Sequence, residues 1–72
     1  DIEKEILIPK TGTYRITAKV LNIRSGPGRQ YTIVGEVHFG EAYTIVQTEN
    51  NRWGKLLYGA GWICLNYAEQ IK

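Results

Sequence analysis

Two side chains in this 72-residue sequence invite a chemical reading first: His38 and Cys64, each the only residue of its type. A thiol–imidazole dyad needs both within hydrogen-bond reach, with a third group orienting the base, and no motif links these two. His38 lies in the alternating run GEVHFGE and reads as an exposed strand position. Cys64, between Ile63 and Leu65, reads as a small, inert hydrophobe. One histidine and one cysteine cannot assemble a tetrahedral metal site, and a single cysteine excludes an internal disulfide. Glu36, Glu41, Glu49 and Glu69 are scattered, with no pair converging for acid–base work. Gly26-Pro27-Gly28 is followed by no lysine or serine at the spacing of a phosphate-binding loop. The sequence therefore predicts no catalytic residue, no metal and no cofactor. Recognition is the chemistry that remains. Five tyrosines, two tryptophans and one phenylalanine, with no methionine, favour a rigid, amphipathic surface over a plastic one.

The elements that must present these groups are short. From Thr13 onward, runs rich in Val, Ile, Thr and Tyr are each bounded by Gly, Pro or Asn, and no helical periodicity survives. The runs Tyr14–Lys19, Val20–Arg24, Ile33–Phe39, Ala42–Glu49, Trp53–Tyr58 and Gly61–Leu65 predict an all-β fold of five to six short strands. Asn50-Asn51 predicts a tight hairpin, because Asn tolerates the positive φ that such turns require. Strands this short and closely spaced need a small barrel or two packed sheets to bury one face. Period-two alternation turns Leu21 and Ile23 inward and Asn22 and Arg24 outward. The same rule pairs Tyr43 with Ile45, Leu56 with Tyr58, and Ile63 with Leu65. Trp53 and Trp62 fit either as barrel lids or as an open aromatic wall.

Length allows one domain. Residues 1–11, with Ile2, Ile6, Leu7 and Ile8 among charges and a Pro9-Lys10-Thr11-Gly12 turn signal, read as a linker or docking arm, and 12–72 as the domain. The chain opens at Asp1 without methionine, as a piece of a longer protein would. A net charge of +2, without a dense basic stripe, argues against nucleic acid. No apolar run has the length of a membrane span, so no membrane partner is expected. A monomer is expected.

The run LNIRSGPG, residues 21–28, resembles the L-N-[VI]-R-S-G-P signature of the bacterial SH3 family. The likeness continues in order through Ile33-Val34-Gly35, Gly40, Tyr43 and Ile45, Asn51 and Trp53, Leu56, and Gly61-Trp62-Ile63, covering about Gly12 to Tyr67. Gly54, where the family often has a bulky residue, and Cys64, where small polar residues are common, depart from it. The resemblance implies a small SH3-like β-barrel with an N-terminal extension. It also implies a non-catalytic cell-wall targeting module, secreted or wall-associated, bacterial or phage-encoded, beside a peptidoglycan hydrolase such as an endolysin or autolysin.

Independently of any family, Leu21 and Ile23 anchor a strand that Ser25-Gly26-Pro27-Gly28 ends abruptly, since Pro lacks an amide hydrogen and Gly admits positive φ. The loop launched there carries Arg29, Gln30 and Tyr31. Arg24 and Asn22 have structural readings beside the functional one: a guanidinium tying down the loop, an amide capping a turn. The expected ligand is a peptide or glycan of peptidoglycan, held in a shallow groove lined by Tyr14, Tyr31, Trp53, Tyr58, Trp62 and Tyr67. Asn22, Arg24, Arg29 and Gln30 would supply hydrogen bonds. Two other functions fit the composition: a module for proline-rich or other extended peptides, or a spacer docked on a neighbouring enzyme through the N-terminal arm.

Overall fold

The computed structural model describes residues 11–59 and 61–72; the predicted arm, residues 1–11, lies outside them except for Thr11. The seven strands are β1 (Gly12–Ile16), β2 (Val20–Arg24), β3 (Ile33–His38), β4 (Ala42–Glu49), β5 (Trp53–Leu56), β6 (Trp62–Cys64) and β7 (Ala68–Gln70). A single 3-10 turn, Leu65–Tyr67, separates the last two. All pairings are antiparallel, in the order β3-β2-β6-β5-β4-β1-β7. Tyr14 and Ile16 from β1 share one buried cluster with Leu21, Ile23 and Val37 from the opposite end of that order. A flat sheet could not bring its two ends together, so the sheet curls on itself around one core, as a small barrel must.

Alternation places the core as the sequence predicts at most positions. Leu21 and Ile23 are buried with Asn22 exposed between them, Ile45 is buried with Tyr43 packed against the cluster, and Ile63 and Leu65 are both buried. The pairing of Leu56 with Tyr58 does not hold: Leu56 is buried and Tyr58 is 87% exposed. Strand β5 ends at Leu56, where the Leu57 N–H crosses to the Thr44 carbonyl and Gly59 takes a φ of 48°. The first strand likewise stops at Ile16, short of the predicted Lys19, because Thr17 and Ala18 donate instead to the Tyr67 carbonyl. Strand β7 is additional to the five or six expected. Its sequence, Ala-Glu-Gln, has no β-branched or aromatic residue, and pairing with β1 makes it a strand.

Turn chemistry follows the sequence closely. Asn50 and Asn51 have φ of 52° and 62°, and the Arg52 N–H donates to the Glu49 carbonyl at 3.2 Å, closing the β4–β5 hairpin. Gly54, the departure after Trp53, has a packing reason. A Cβ there would meet Ile45 Cγ2 at 2.8 Å and Leu65 Cδ2 at 3.0 Å, so the core occupies the space a larger residue needs.

The β3–β4 turn is held by a carboxylate. Glu41 Oε1 accepts from the His38 backbone N–H at 2.6 Å and from the Tyr43 hydroxyl at 2.9 Å. The first of these bonds chiefly, then the second, holds the Glu41 carboxyl below the usual 4.5. Burial, and then the same bond to Glu41, raises the Tyr43 phenol above 10.0. A lowered carboxyl value means that folding favours the ionised form. The contribution is therefore present above the unfolded value and lost as pH falls through the folded one. Melting temperatures of the wild type and Glu41→Gln are expected to differ most above pH 4.5 and to converge on acidification. A gap that stays constant with pH would show that the charge plays no part.

Candidate functional site

The outer face of the β2–β6–β5 portion is where the sequence's recognition residues meet. Registration sets Arg24 against Trp62, and Trp53 against Cys64. Since Leu21, Ile23 and Ile63 point into the core, the neighbours of Ile63, Trp62 and Cys64, share the outer face with Asn22 and Arg24. Above this face lies a hollow of about 320 Å³ lined by Ala18, Val20, Leu21, Asn22, Arg24, Arg29, Arg52, Trp53, Cys64, Asn66 and Tyr67. Trp53 is 6% exposed yet stands outside the contiguous core cluster. Mostly buried and lining the hollow, it serves as floor more than as lid.

Arg24 takes the structural role that the sequence allows it, and it also borders the hollow. Its Nη1 donates to the carbonyls of Arg29 and Tyr31, each at 3.0 Å, and the side chain lines the hollow. Four further ties hold this loop: the Gly28 N–H to the Gly26 carbonyl, the Ser25 N–H to the Thr32 carbonyl, the Tyr31 N–H to the Gly28 carbonyl, and Asn50 Nδ2 to the Pro27 carbonyl at 2.9 Å. The last of these fastens the loop to the tip of the β4–β5 hairpin. Arg29 is thereby placed by backbone bonds that its own side chain does not make.

Of the predicted site residues, Asn22, Arg24, Arg29, Trp53 and Tyr67 come together here. Gln30, Tyr31 and Tyr58 do not line the hollow. The Tyr31 ring packs over Gly26, where a Cβ would fall 2.5 Å from it. Tyr58 borders a second hollow of about 320 Å³ beside Tyr43, Thr44 and Leu57. Of the other predicted groove rings, Tyr14 is a buried core residue and Trp62 is half-buried outside the lining. Arg52 and Asn66 line the hollow without having been singled out in the sequence. Arg52 follows the Asn50-Asn51 turn and Asn66 follows Leu65, and the Leu65 N–H donates to the Arg52 carbonyl at 2.6 Å. That long-range bond is what makes them neighbours.

The hollow is electropositive. Three guanidinium groups line it and, among the described residues, no carboxylate does. His38 is elsewhere, 3.8 Å from Glu36 and 3.7 Å from Glu41, and is not among the residues lining the hollow with Cys64. No group of three His, Cys, Asp or Glu residues among the described ones is placed to hold a metal. The arrangement is suited to holding a ligand with aromatic faces, amides and guanidinium groups.

A curled antiparallel sheet around one core, with its loops and outer face forming a polar, aromatic hollow, defines a small all-β barrel-type domain. Residues 19–67 match the family described as bacterial SH3 domain, and the chain belongs to that family. It is also similar to two proteins named probable endopeptidase p60. One, from Listeria seeligeri, is 41% identical over 64% of this chain and 9% of that protein. The other, from Listeria innocua serovar 6a, is 32% identical over 79% of this chain and 12% of that protein. The chain thus corresponds to only about a tenth of each relative. No solved structure matches significantly.

Proposed function

We propose that this domain is a non-catalytic module that binds the bacterial cell wall, gripping a peptide or glycan segment of peptidoglycan in the Trp53–Tyr67 hollow. In this reading it keeps an adjoining catalytic domain of the same protein, outside the cell, close to its substrate. The observation that carries it is the hollow itself: a mostly buried tryptophan floor, an exposed tyrosine, two asparagines and three arginines in one concavity of about 320 Å³. The likeness of so short a segment to proteins named endopeptidases supports a role as an accessory to an enzyme, with the hydrolytic residues elsewhere in the longer protein. A groove for proline-rich ligands with basic flanks is less well supplied, because guanidinium groups repel those flanks.

The purified domain is expected to co-sediment with insoluble peptidoglycan and to leave the supernatant in proportion to added wall. Protein that remains wholly soluble across walls of several chemistries would end this reading.

A further inference from the structure

We infer that the anchor point of the hollow is a carboxylate-binding site, and that the ligand is a short peptide bearing a free carboxylate group. The inference rests on the hollow being the ligand site, and it specifies what the ligand must carry. Arg29 and Arg52 come from separate loops, the segment after β2 and the β4–β5 hairpin, and Asn50 binds those loops together through the Pro27 carbonyl. Two cations are thereby held around one concavity, with Arg24 as a third.

Gathering like charges is unfavourable unless an anion joins them. The described residues supply none. Glu49, the acid nearest to Arg52 in sequence, has its Oε2 engaged by Gln47 Nε2 at 3.0 Å. Glu36 and Glu41 flank His38 at the other end of β3. Arg24 Nη1 is committed to the loop carbonyls, which leaves Arg29 and Arg52 as the pair with whole guanidinium forks to offer.

A planar fork matches a carboxylate in bidentate fashion. Around it, Asn22 and Asn66 offer donor and acceptor amides of the kind a peptide backbone pairs with, and Trp53 and Tyr67 offer faces for its apolar atoms. A polyphosphate chain would be met better by cations strung along its length, whereas these line a single concavity.

The test uses the stem peptide released from peptidoglycan, with its carboxylates free or converted to carboxamides, titrated into the labelled domain and followed by amide NMR. The free-acid peptide is expected to shift Asn22, Arg24, Trp53 and Asn66, and conversion to carboxamide to weaken binding about tenfold or more, as loss of charge-assisted bonds does. Arg29→Gln and Arg52→Gln, both at exposed positions, should each weaken the free-acid peptide and narrow its advantage over the amide. Lys19→Gln, an exposed cation outside the hollow, should leave both affinities alone. Equal affinity for the two peptides, or arginine variants that bind as the wild type does, overturns the carboxylate site. Co-sedimentation with walls whose carboxylates have been amidated separates the two ideas. Undiminished sedimentation overturns the carboxylate site and keeps wall binding, while no sedimentation with untreated walls removes both. A response to a glycerol-phosphate oligomer with none to the free-acid peptide also overturns it.

Discussion

Gly61→Ala is expected to lower the melting temperature by about 16–32 °C. Two independent effects meet at this position. Gly61 has a φ of 125°, a backbone conformation that costs an L residue about 1–3 kcal/mol. The added Cβ would also drive into the backbone carbonyl of Arg24 and stand 3.1 Å from Ile23 Cγ2. Neither obstacle is the free end of a flexible side chain, so relief requires moving β6 away from β2, where the pairing is Arg24 with Trp62. Overpacking of this kind adds about 1–3 kcal/mol, for a total of roughly 4 kcal/mol, which is a large part of the stability of any small domain. Gly40→Ala is the internal comparison. Its φ is 84° but nothing stands within 4 Å of the new Cβ, so only the backbone cost of about 1–3 kcal/mol applies and a fall about half as large, roughly 8–16 °C, is expected. Equal shifts in thermal melts of the two variants would show that the close approach of β6 to Arg24 does not hold the barrel together.

The same Arg24 region shows how far the sequence could be read. LNIRSGPG indicates two inward anchors and an abrupt exit, and Leu21 and Ile23 are buried with the chain turning away at Ser25. Those are local consequences of alternation and of Gly-Pro chemistry, legible within a few residues. The Asn50-Asn51 hairpin is legible for the same reason, since its positive φ values are a property of the residues at the turn. Features that depend on distant pairing are not. Nothing in Ala-Glu-Gln marks β7, which exists because β1 offers it an edge. Arg52 and Asn66 join the hollow through a bond between the start of β5 and the end of β6. Aromatic residues divide in the same way. Composition predicts a recognition surface, yet Tyr14 faces the core, Tyr31 covers Gly26 and Tyr58 stands by a different hollow. The register of the curled sheet selects Trp53, and the 3-10 turn after β6 brings Tyr67 to the same hollow.

Trp53→Ala is expected both to destabilise the domain by about 3 kcal/mol, near the lower end for a buried tryptophan, and to abolish retention by insoluble walls. The lower end applies because the ring lies outside the central cluster and borders the hollow, so water can enter the space it vacates. At 4–8 °C per kcal/mol the melting temperature should fall by about 12–24 °C, and binding must be measured well below the new midpoint. Loss of binding in that variant alone could reflect a loosened barrel, so Trp53→Phe carries the discrimination. It retains a ring on the floor opposite Cys64 and keeps the neighbouring backbone, and it should melt within about 12 °C of the wild type if the loss stays near 1–1.5 kcal/mol, as for a tolerated hydrophobic swap. Binding weakened but measurable in Trp53→Phe, absent in Trp53→Ala and unchanged in Tyr58→Ala would follow from a ligand resting on the tryptophan face. Tyr58 is the proper counter-probe because it is an exposed aromatic on the second hollow, and its removal disturbs no core contact. Should Tyr58→Ala lose the wall while both Trp53 variants retain it, the ligand occupies the Tyr43–Tyr58 side of the barrel, and the arginines of the first hollow have some other partner.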